Sequence, residues 1–474
     1  MMNETEFVDR LVPIIRKFYQ ELGGWSLVNI PGDGTVWSVN SSQFIREKMT
    51  GSDAFYSLSV GFDEDARQYS LVIEQAGLSL EDPEMYNDTN STEMLLYEME
   101  IILTELAQGP IPNGSNGSSG SLYQILEFEY ALAQIWEDAE DDTNNTYTVK
   151  ELYKLWPNHD WLGVLKGVLG PSGVDVKLSS NVTVETPNYF RRLTELVENT
   201  DDKTLENYAK WSMTWQLAEI FVPDATIRES LILFRQLVLG KPSMDEQQEC
   251  VQIVEQVLPL ALGRVYAQYL LPDGFKKAGV ELVAGVRAGL KQRMMDVDWL
   301  DDETRKLSIE KLEAIQSRVA YPNMTFNDSF LNMLYGMYKF NKDQYVENFL
   351  EFINISVRQQ FSLIYKPLDR NMWLDSPTTV NAYYIAVFNQ ISILEAIMRT
   401  PSFSDEWPLS VQYGALGMVL GHEFTHGFDN NGRQYDKNGR KRMWWSKEAI
   451  EKFKERAQCF VKQYSHYEMF GIPV

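Results

Sequence analysis

The chain has 474 residues, and 43 Lys and Arg stand against 67 Asp and Glu, which gives a formal net charge of −24 at pH 7. This acidity argues against nucleic acid or an anionic membrane as a partner, because both carry negative charge themselves. Hydrophobic residues make up 44% and aromatic residues 12% of the sequence, so the chain can build packed cores and global disorder is excluded. The length predicts two to four domains, or one protein of two lobes.

The first half of the chain is predicted to be mainly helical. Apolar residues recur there at the spacing of amphipathic helices over 7–22, 95–106, 122–136 and 205–220. Between these stripes, alternating apolar residues in 56–60 and 69–73 predict a short β-hairpin. The run of Gly, Ser and Asn over 109–121 predicts an exposed loop.

The second half combines a long helical region with one β-prone segment. Helical patterns extend over about 244–314, where Asp301 is a predicted N-cap. The segment 372–384 ends in a run of Thr, Val, Asn, Ala and Tyr that favours a strand. Helical signals resume at Leu409, and a last helix is predicted over about 446–464. No stretch of about 18 uncharged apolar residues occurs, so no membrane span is predicted in this chain.

An excess of glycosylation sequons points to the secretory pathway. The pattern Asn-x-Ser/Thr begins at Asn3, Asn40, Asn87, Asn90, Asn113, Asn116, Asn144, Asn181, Asn323, Asn327 and Asn354. Chance would give about three or four, so a glycosylated surface is predicted, with a composition rich in Asn, Ser and Thr as the alternative. The N-terminus has neither the basic nor the apolar region of a signal peptide. The only cysteines, Cys250 and Cys459, can pair together, stay reduced or pair outside this chain.

One motif carries specific chemistry. Two of the four histidines lie in the sequence His-Glu-Phe-Thr-His, at His422 and His426. On a helix, residues four apart share a face, so both imidazoles can bind one metal ion, and zinc suits such ligands. Glu423 can then act as the general base for an attacking water. A chance HExxH would occur about 0.01 times or less in so histidine-poor a chain, and the alternative is a surface helix with incidental histidines.

The flanks of the motif restrict the class of metal site. The small, apolar run 413–421 predicts a buried helix in close contact with its neighbours. Asp429 and Gly432 occupy the positions where a longer zinc motif has Gly and a third His, so that class is excluded. A third ligand must come from further along. Glu448 and Glu451 are candidates, although a solvated helix face is the favoured interpretation of both.

Around this motif the sequence resembles the neprilysin and endothelin-converting-enzyme family of zinc metallopeptidases. The resemblance runs through GHEFTHGFDNNGRQYDKNG at 421–439, MWWS at 443–446, VNAYY at 380–384, KPLDR at 366–370 and DWLDDET at 298–304. Weaker matches are LGGW at 22–25 and ALGRVY at 261–266. The resemblance therefore extends over nearly the whole chain.

For the fold, the resemblance implies a mainly α-helical, two-lobed, neprilysin-like ectodomain. Residues 1–265 would form a helical lobe that restricts substrate access. Residues 266–474 would form a thermolysin-like catalytic lobe, incomplete at its C-terminal end. The family's membrane anchor and early cysteines would precede Met1, so the chain resembles a member cut at both ends.

For the site, the resemblance assigns zinc binding to His422 and His426 and the role of catalytic base to Glu423. It assigns hydrogen bonding to the substrate backbone to Asn381 and Ala382. The family's third zinc ligand is a glutamate in a Glu-x-x-x-Asp helix expected beyond the last residue.

Two departures accompany this assignment. Leu394-Glu395 replaces a Pro-Ala pair of the family, which predicts a charge near the substrate cavity. The resemblance also implies that Cys250 and Cys459 do not bond to each other.

The expected activity is that of a zinc-dependent metalloendopeptidase hydrolysing short peptides at the cell surface or extracellularly. Nucleic acid is not expected as a partner, and a membrane would be reached only through an anchor absent from this chain. The 474-residue chain itself is expected to be inactive because its third ligand is missing. The alternative is a catalytically silent glycoprotein of the same family that binds peptides or partners.

Overall fold

The structure is a computed structural model that describes residues 4–469 and 472–473, apart from 22, 33, 35, 41–53, 112–119, 138–145, 221–224, 243–245, 272–273 and 343. The sequons at Asn3, Asn113, Asn116 and Asn144, and most of the predicted loop 109–121, lie outside the described residues.

Contacts divide the chain into two compact units. The first comprises Met1–Asp63, Arg67–Asp245 and Tyr338–Leu368, and the second comprises Glu64–Ala66, Glu246–Met337 and Asp369–Val474. The lobe boundary predicted at residue 265 falls inside the helix Pro259–Leu270 of the second unit. The assignment of a function to each lobe stays a prediction.

The first unit is mainly helical, in agreement with the amphipathic stripes. Its helices are Glu4–Glu21, Thr89–Ala107, Ser121–Glu137, Val149–Leu152, Trp161–Leu169, Pro187–Glu198, Asp202–Ile220, Ala225–Leu237 and Tyr345–Phe361, with 3-10 turns at Ser26–Val28, Pro83–Asn87 and Gly170–Ser172. Apart from Lys210, its largest fully buried side chains are aromatic and include Trp25, Trp161 and Trp211. Aromatic burial therefore supplies much of the apolar surface that stabilises this core.

The first unit also contains one small sheet. Its strands are β1 (Tyr56–Asp63), β2 (Gln68–Gln75), β3 (Thr146–Thr148) and β4 (Asn181–Val184), in the order β1-β2-β4-β3. Strands β1 and β2 are antiparallel, with Tyr56 opposite Gln75. The predicted hairpin is thus confirmed.

The second unit carries the histidine motif. Its helices are Glu246–Val257, Pro259–Leu270, Phe275–Asp296, Asp302–Ala314, Asp328–Tyr335, Leu409–Gly414, Leu416–His426 and Lys447–Tyr464, with 3-10 turns at Asn323–Phe326 and Gly432–Gln434. The long helical region expected over 244–314 is therefore four separate helices. The predicted helix at 446–464 is confirmed. Both cysteines are free, exposed thiols on helices of this unit.

A three-stranded sheet lies beside the motif helix in this unit. It consists of β5 (Gln316–Ala320), β6 (Ala382–Ile385) and β7 (Gln390–Leu394), in the order β5-β7-β6. Strand β7 pairs parallel to β5 and antiparallel to β6, so β6 is an edge strand. A two-residue pair, β8 (Glu468–Met469) and β9 (Ile472–Pro473), follows the last helix. Residues from this sheet and from the motif helix share one core, for example Ile391, Ile393, Leu420 and Phe424.

Two helix starts in the second unit are capped by side chains that bind each other. The predicted N-cap Asp301 accepts a hydrogen bond from the backbone of Thr304 at 2.9 Å, and Ser446 caps the helix Lys447–Tyr464. The Ser446 hydroxyl also donates to Asp301 at 2.5 Å. Burial raises the pKa of Asp301, but these hydrogen bonds outweigh it and lower the pKa to about 2.

None of the helices in the described ranges is long and apolar enough to cross a membrane.

Candidate metal centre

The histidine motif forms the last turns of the helix Leu416–His426. Ala415 has non-helical dihedral angles, φ −96° and ψ −98°, and separates this helix from the preceding helix Leu409–Gly414. Leu420 and Phe424 face the core, whereas Met418 on the other side is 64% exposed. The prediction that this helix packs closely against its neighbours is therefore wrong for one of its faces. Gly421 illustrates the difference, because a Cβ added there would meet no atom within 4 Å.

The two histidines of the motif converge on one point. Their Nε2 atoms lie 3.0 Å apart, and their ring centroids are 4.5 Å apart with the planes at 83°. Two nitrogens that each lie 2.0–2.1 Å from a tetrahedral zinc are separated by about 3.3 Å. The observed separation therefore fits two ligands of a single zinc ion.

Asp429 orients one of these histidines. Its Oδ2 lies 2.8 Å from Nδ1 of His426. Because a carboxylate only accepts hydrogen bonds, this contact assigns the proton of His426 to Nδ1 and leaves the lone pair on Nε2. A metal-binding histidine commonly has such a partner on its other nitrogen. Sequence reasoning used Asp429 only to exclude a longer motif, although the three-residue spacing from His426 was a usable signal.

The other oxygen of Asp429 shapes the turn after the helix. Oδ1 accepts hydrogen bonds from the backbone N–H groups of Asn431 at 2.9 Å and Gly432 at 2.7 Å. A Cβ on Gly432 would lie 1.8 Å from the carbonyl oxygen of His426. Only glycine allows the turn to fold back this closely onto the end of the helix.

Glu423 is buried next to the two imidazoles. Its side chain is 5% exposed, and its carboxylate and the ring nitrogens of His422 and His426 lie within 4.8 Å of one another. Burial raises the pKa of Glu423, and the charges of His426 and His422 oppose that shift. A raised pKa brings a carboxylate closer to the range in which general bases work at neutral pH.

The predicted substrate residues lie at the same cavity. Its volume is about 390 Å³, and it is lined by Asn381, Ala382, Tyr383, Tyr384, Ala386, His422, Glu423, His426, Asp429, Asn431 and Gly432. Ala382 begins the edge strand β6, and Oδ1 of Asn381 accepts a hydrogen bond from its N–H at 2.9 Å. Edge strands offer unpaired backbone groups to an added strand.

The two downstream glutamates do not join this group. Glu448 is exposed and forms an ion pair with Lys452 at 2.6 Å, and Glu451 is exposed as well. In the described part of the chain, the only group of His, Cys, Asp and Glu arranged for a metal is His422, Glu423 and His426. The solvated-face interpretation of Glu448 and Glu451 agrees with this geometry. The described residues thus offer zinc two imidazole ligands, with one carboxylate next to them.

The prediction that Glu395 places a charge near the substrate cavity is wrong. The residue is fully buried and does not line the cavity, and both its oxygens lack a hydrogen-bond partner within the described structure. Burial raises the pKa of Glu395 to about 8, against the opposing charge of Lys276. A carboxyl with this pKa is mostly neutral at pH 7.

The fold and the site define a mainly α-helical protein in which an HExxH motif brings two imidazoles and a carboxylate together. Sequence profiles described as peptidase family M13 match residues 1–322 and residues 381–471. The chain therefore belongs to peptidase family M13. The resemblance to the neprilysin and endothelin-converting-enzyme family is confirmed.

Individual relatives agree with this assignment. The chain is 29% identical over its whole length to endothelin-converting enzyme 1 of Mus musculus and of Homo sapiens, and it spans 62% of the length of each. Two solved structures have a similar fold. PepO from Lactobacillus rhamnosis has a TM-score of 0.79 and 18% identity over 99% of this chain and 72% of its own. An inhibitor complex of the zinc metalloprotease Zmp1 from Mycobacterium tuberculosis has a TM-score of 0.76 and 21% identity over 98% of this chain and 73% of its own.

Proposed function

We propose that the cavity beside the motif helix is the zinc centre of a metalloendopeptidase that cleaves short peptides. The observation that carries the proposal is the 3.0 Å separation of the His422 and His426 Nε2 atoms, with Glu423 beside them. Zinc, when bound, supplies a Lewis acid. His422 and His426 hold it, and Asp429 keeps the Nε2 lone pair of His426 available.

The remaining chemistry belongs to the residues of this chain. Glu423 takes a proton from the attacking water and returns it to the departing amine. An extended peptide adds to the edge of β6, where Asn381 and Ala382 present polar groups to the cavity. The Nδ2 group of Asn381 remains a donor for a peptide carbonyl, because its Oδ1 is engaged by Ala382.

The zinc centre proposed here requires a further protein ligand. Zinc sites in proteins usually have at least three protein ligands. The described residues supply two imidazoles, with Glu423 reserved for proton transfer. We therefore expect the 474-residue chain to bind zinc weakly and to turn over peptides poorly or not at all.

Zinc binding and peptide cleavage test these statements separately. Zinc competition against a chromophoric chelator should show one weak site that is lost in His422→Ala and His426→Ala. A fluorogenic peptide, incubated with the chain and zinc, should show no turnover above the Glu423→Gln control. Turnover that depends on zinc and on Glu423 would establish the peptidase and refute the need for a further ligand. Wild-type zinc binding in both histidine variants would refute the site itself.

A silent peptide-binding glycoprotein is the second candidate, favoured by the incomplete ligand set within the described residues. This candidate predicts peptide binding that is independent of zinc and of His422, measurable by fluorescence anisotropy. A peptide that binds only with zinc present would count against it.

Glycosylation and a secretory, extracellular location form a further part of the proposal. Among the described sequons, Asn87, Asn90, Asn181, Asn323 and Asn327 are exposed, and Asn40 and Asn354 are half-buried. Exposed sequons are accessible acceptors for N-glycans.

Expression through a eukaryotic secretory pathway tests this part. The chain should lose mass on treatment with an N-glycosidase. Ser329→Ala should remove one glycan, and it preserves Asn327, whose Oδ1 caps the helix Asp328–Tyr335 through the N–H of Phe330 at 3.1 Å. An unchanged mass after glycosidase treatment would contradict the proposal.

A further inference from the structure

A buried lysine anchors the turn that follows the motif helix. Lys311 lies on the helix Asp302–Ala314 and is fully buried. Its Nζ donates to the carbonyl oxygens of Gly427, Gly432 and Tyr435, each at 2.6 Å. Three acceptors on one nitrogen use all three protons of an ammonium group. A buried charge is tolerated when its hydrogen bonds are complete in this way.

The surroundings of this ammonium are otherwise aromatic. The rings of Tyr384, Phe428 and Trp444 have centroids 5.9, 5.4 and 5.6 Å from Nζ. Such rings attract a cation through their faces, and they also exclude water from it. The three carbonyls therefore have no solvent competitor for the Lys311 ammonium group.

The anchored segment is the one that orients His426. The three carbonyls belong to the turn 427–435, which contains Asp429, whose carboxylate contacts Nδ1 of His426 at 2.8 Å. Lys311 itself belongs to another helix and does not line the cavity. Lys311 can therefore act on the metal centre only from behind it, through the hydrogen bonds that hold the turn and through the attraction between its ammonium group and Asp429.

We propose that Lys311 is a positioning residue for the metal centre: it holds the 427–435 turn so that Asp429 fixes the Nδ1–H tautomer of His426 and leaves Nε2 free to bind metal. The metal-binding half of this statement rests on the proposed function, whereas the tautomer half does not. The alternative is that Lys311 only stabilises the core of the second unit.

Lys210 provides a matched control in the first unit. Its side chain is 1% exposed, and its Nζ donates to the carbonyl of Gly24 and to Glu206. Lys210→Met and Lys311→Met thus both remove a buried ammonium that binds backbone. Only Lys311→Met releases the turn beside His426.

The primary experiment is NMR of the full chain labelled with ¹⁵N-histidine, without metal. The chain has four histidines, and His426→Gln assigns the signal of His426. In the wild type and in Lys210→Met, His426 should be the Nδ1–H tautomer. In Lys311→Met and in Asp429→Asn it should become a mixture of tautomers. Lys311→Gln, which retains two donor protons, should give an intermediate shift.

Zinc competition on the same variants is the second measurement. Loss of an orienting partner typically reduces metal affinity 10–100-fold. Lys311→Met and Asp429→Asn should each show a loss in this range, and the double variant should lose no more than either, because both act on one contact. If the wild type binds no zinc but the tautomer shifts as expected, the proposed function fails and the positioning role stands.

Several results would overturn the role of Lys311. A folded Lys311→Met chain with an unchanged His426 tautomer would do so. An equal shift in Lys210→Met, or additive losses of zinc affinity in the double variant, would do the same. If neither Lys311→Met nor Lys311→Gln folds, Lys311 has a structural role only, and the proposal is rejected.

Discussion

The two units use histidine in opposite ways. In the first unit, His159 is 2% exposed, lies stacked on Trp156 with centroids 4.4 Å apart, and has its Nε2 2.8 Å from the Tyr56 hydroxyl. In the second unit, His422 is exposed and the His426 side chain is 43% exposed. The partner of His159 is a neutral hydroxyl, whereas the partner of His426 is the carboxylate of Asp429.

The comparison shows how environment decides what an imidazole can do. Burial lowers the pKa of His159 to about 3, and Trp156, Trp161 and Tyr56 pack against its ring, so it is a packed, neutral core group. The second-unit histidines line a solvent-accessible cavity, where Nε2 of His426 has the lone pair that metal binding requires. Each of the following predictions tests one side of this contrast.

The largest expected effect is the response of the first unit to acid. His159 has a pKa of about 3 when folded and about 6.5 when unfolded, so the unfolded chain binds the proton first as pH falls. The stabilisation is complete above pH 6.5 and is lost towards pH 3, by about 4 to 5 kcal/mol in all. The hydrogen-exchange protection factors of the helix Trp161–Leu169, which are corrected for the intrinsic pH dependence of exchange, should fall over this range. In His159→Gln that pH dependence should flatten, and parallel curves would contradict the assignment.

Replacement of His159 by alanine should destabilise the first unit at neutral pH by nearly as much as acid does. His159→Ala leaves a cavity among Trp156, Trp161 and Tyr56 and removes a hydrogen bond of the Tyr56 hydroxyl. The expected cost to the first unit is about 3 to 4 kcal/mol, measurable by denaturant unfolding with tryptophan fluorescence. Zinc affinity should not change. A parallel loss of zinc binding would mean that the contrast between the two units is not local.

The converse change in the second unit should affect metal rather than stability. His426→Ala removes a half-exposed ring, so the melting temperature should fall by no more than a few degrees. Its zinc affinity should fall at least about 100-fold, because one of two imidazole ligands is lost. Chelator competition and thermal unfolding on one preparation measure both. A large loss of stability with retained zinc affinity would reverse the roles given to the two histidine environments.

The smallest effect is expected on the last helix. Glu448→Gln and Glu451→Gln change exposed side chains outside the metal group, so stability should stay within about 0.5 kcal/mol and zinc affinity should not change. Either variant losing zinc would show that a downstream glutamate completes the centre within this chain.

Local patterns predicted much of this molecule. The hairpin β1–β2, the cap at Asp301 and the last helix each depend on neighbours in sequence, so periodicity and capping rules were sufficient. The limits of local rules appear at Glu395, where a charged residue type predicted a charged cavity wall but the chain buries it. They appear again at Met418, whose exposure depends on which elements pack around the motif helix.

In the candidate site, too, some features follow from local sequence and others only from the tertiary fold. The convergence of His422 and His426 was determined by sequence alone, because a four-residue spacing on a helix brings two side chains together wherever the helix lies. Asn381 could be placed beside them only through family resemblance, since a strand some forty residues away reaches the helix only through the fold.

Sequence by itself determined a helical protein of peptidase family M13 with a paired imidazole site and a glutamate next to it. Tertiary structure alone decided that Lys311 reaches three carbonyls of the turn behind that site, and that His159 is enclosed by aromatic rings while His426 faces a cavity. The physical reason is the separation along the sequence over which each interaction acts. Helix geometry acts over a few residues, whereas burial and buried hydrogen bonds depend on segments that meet only when the chain folds.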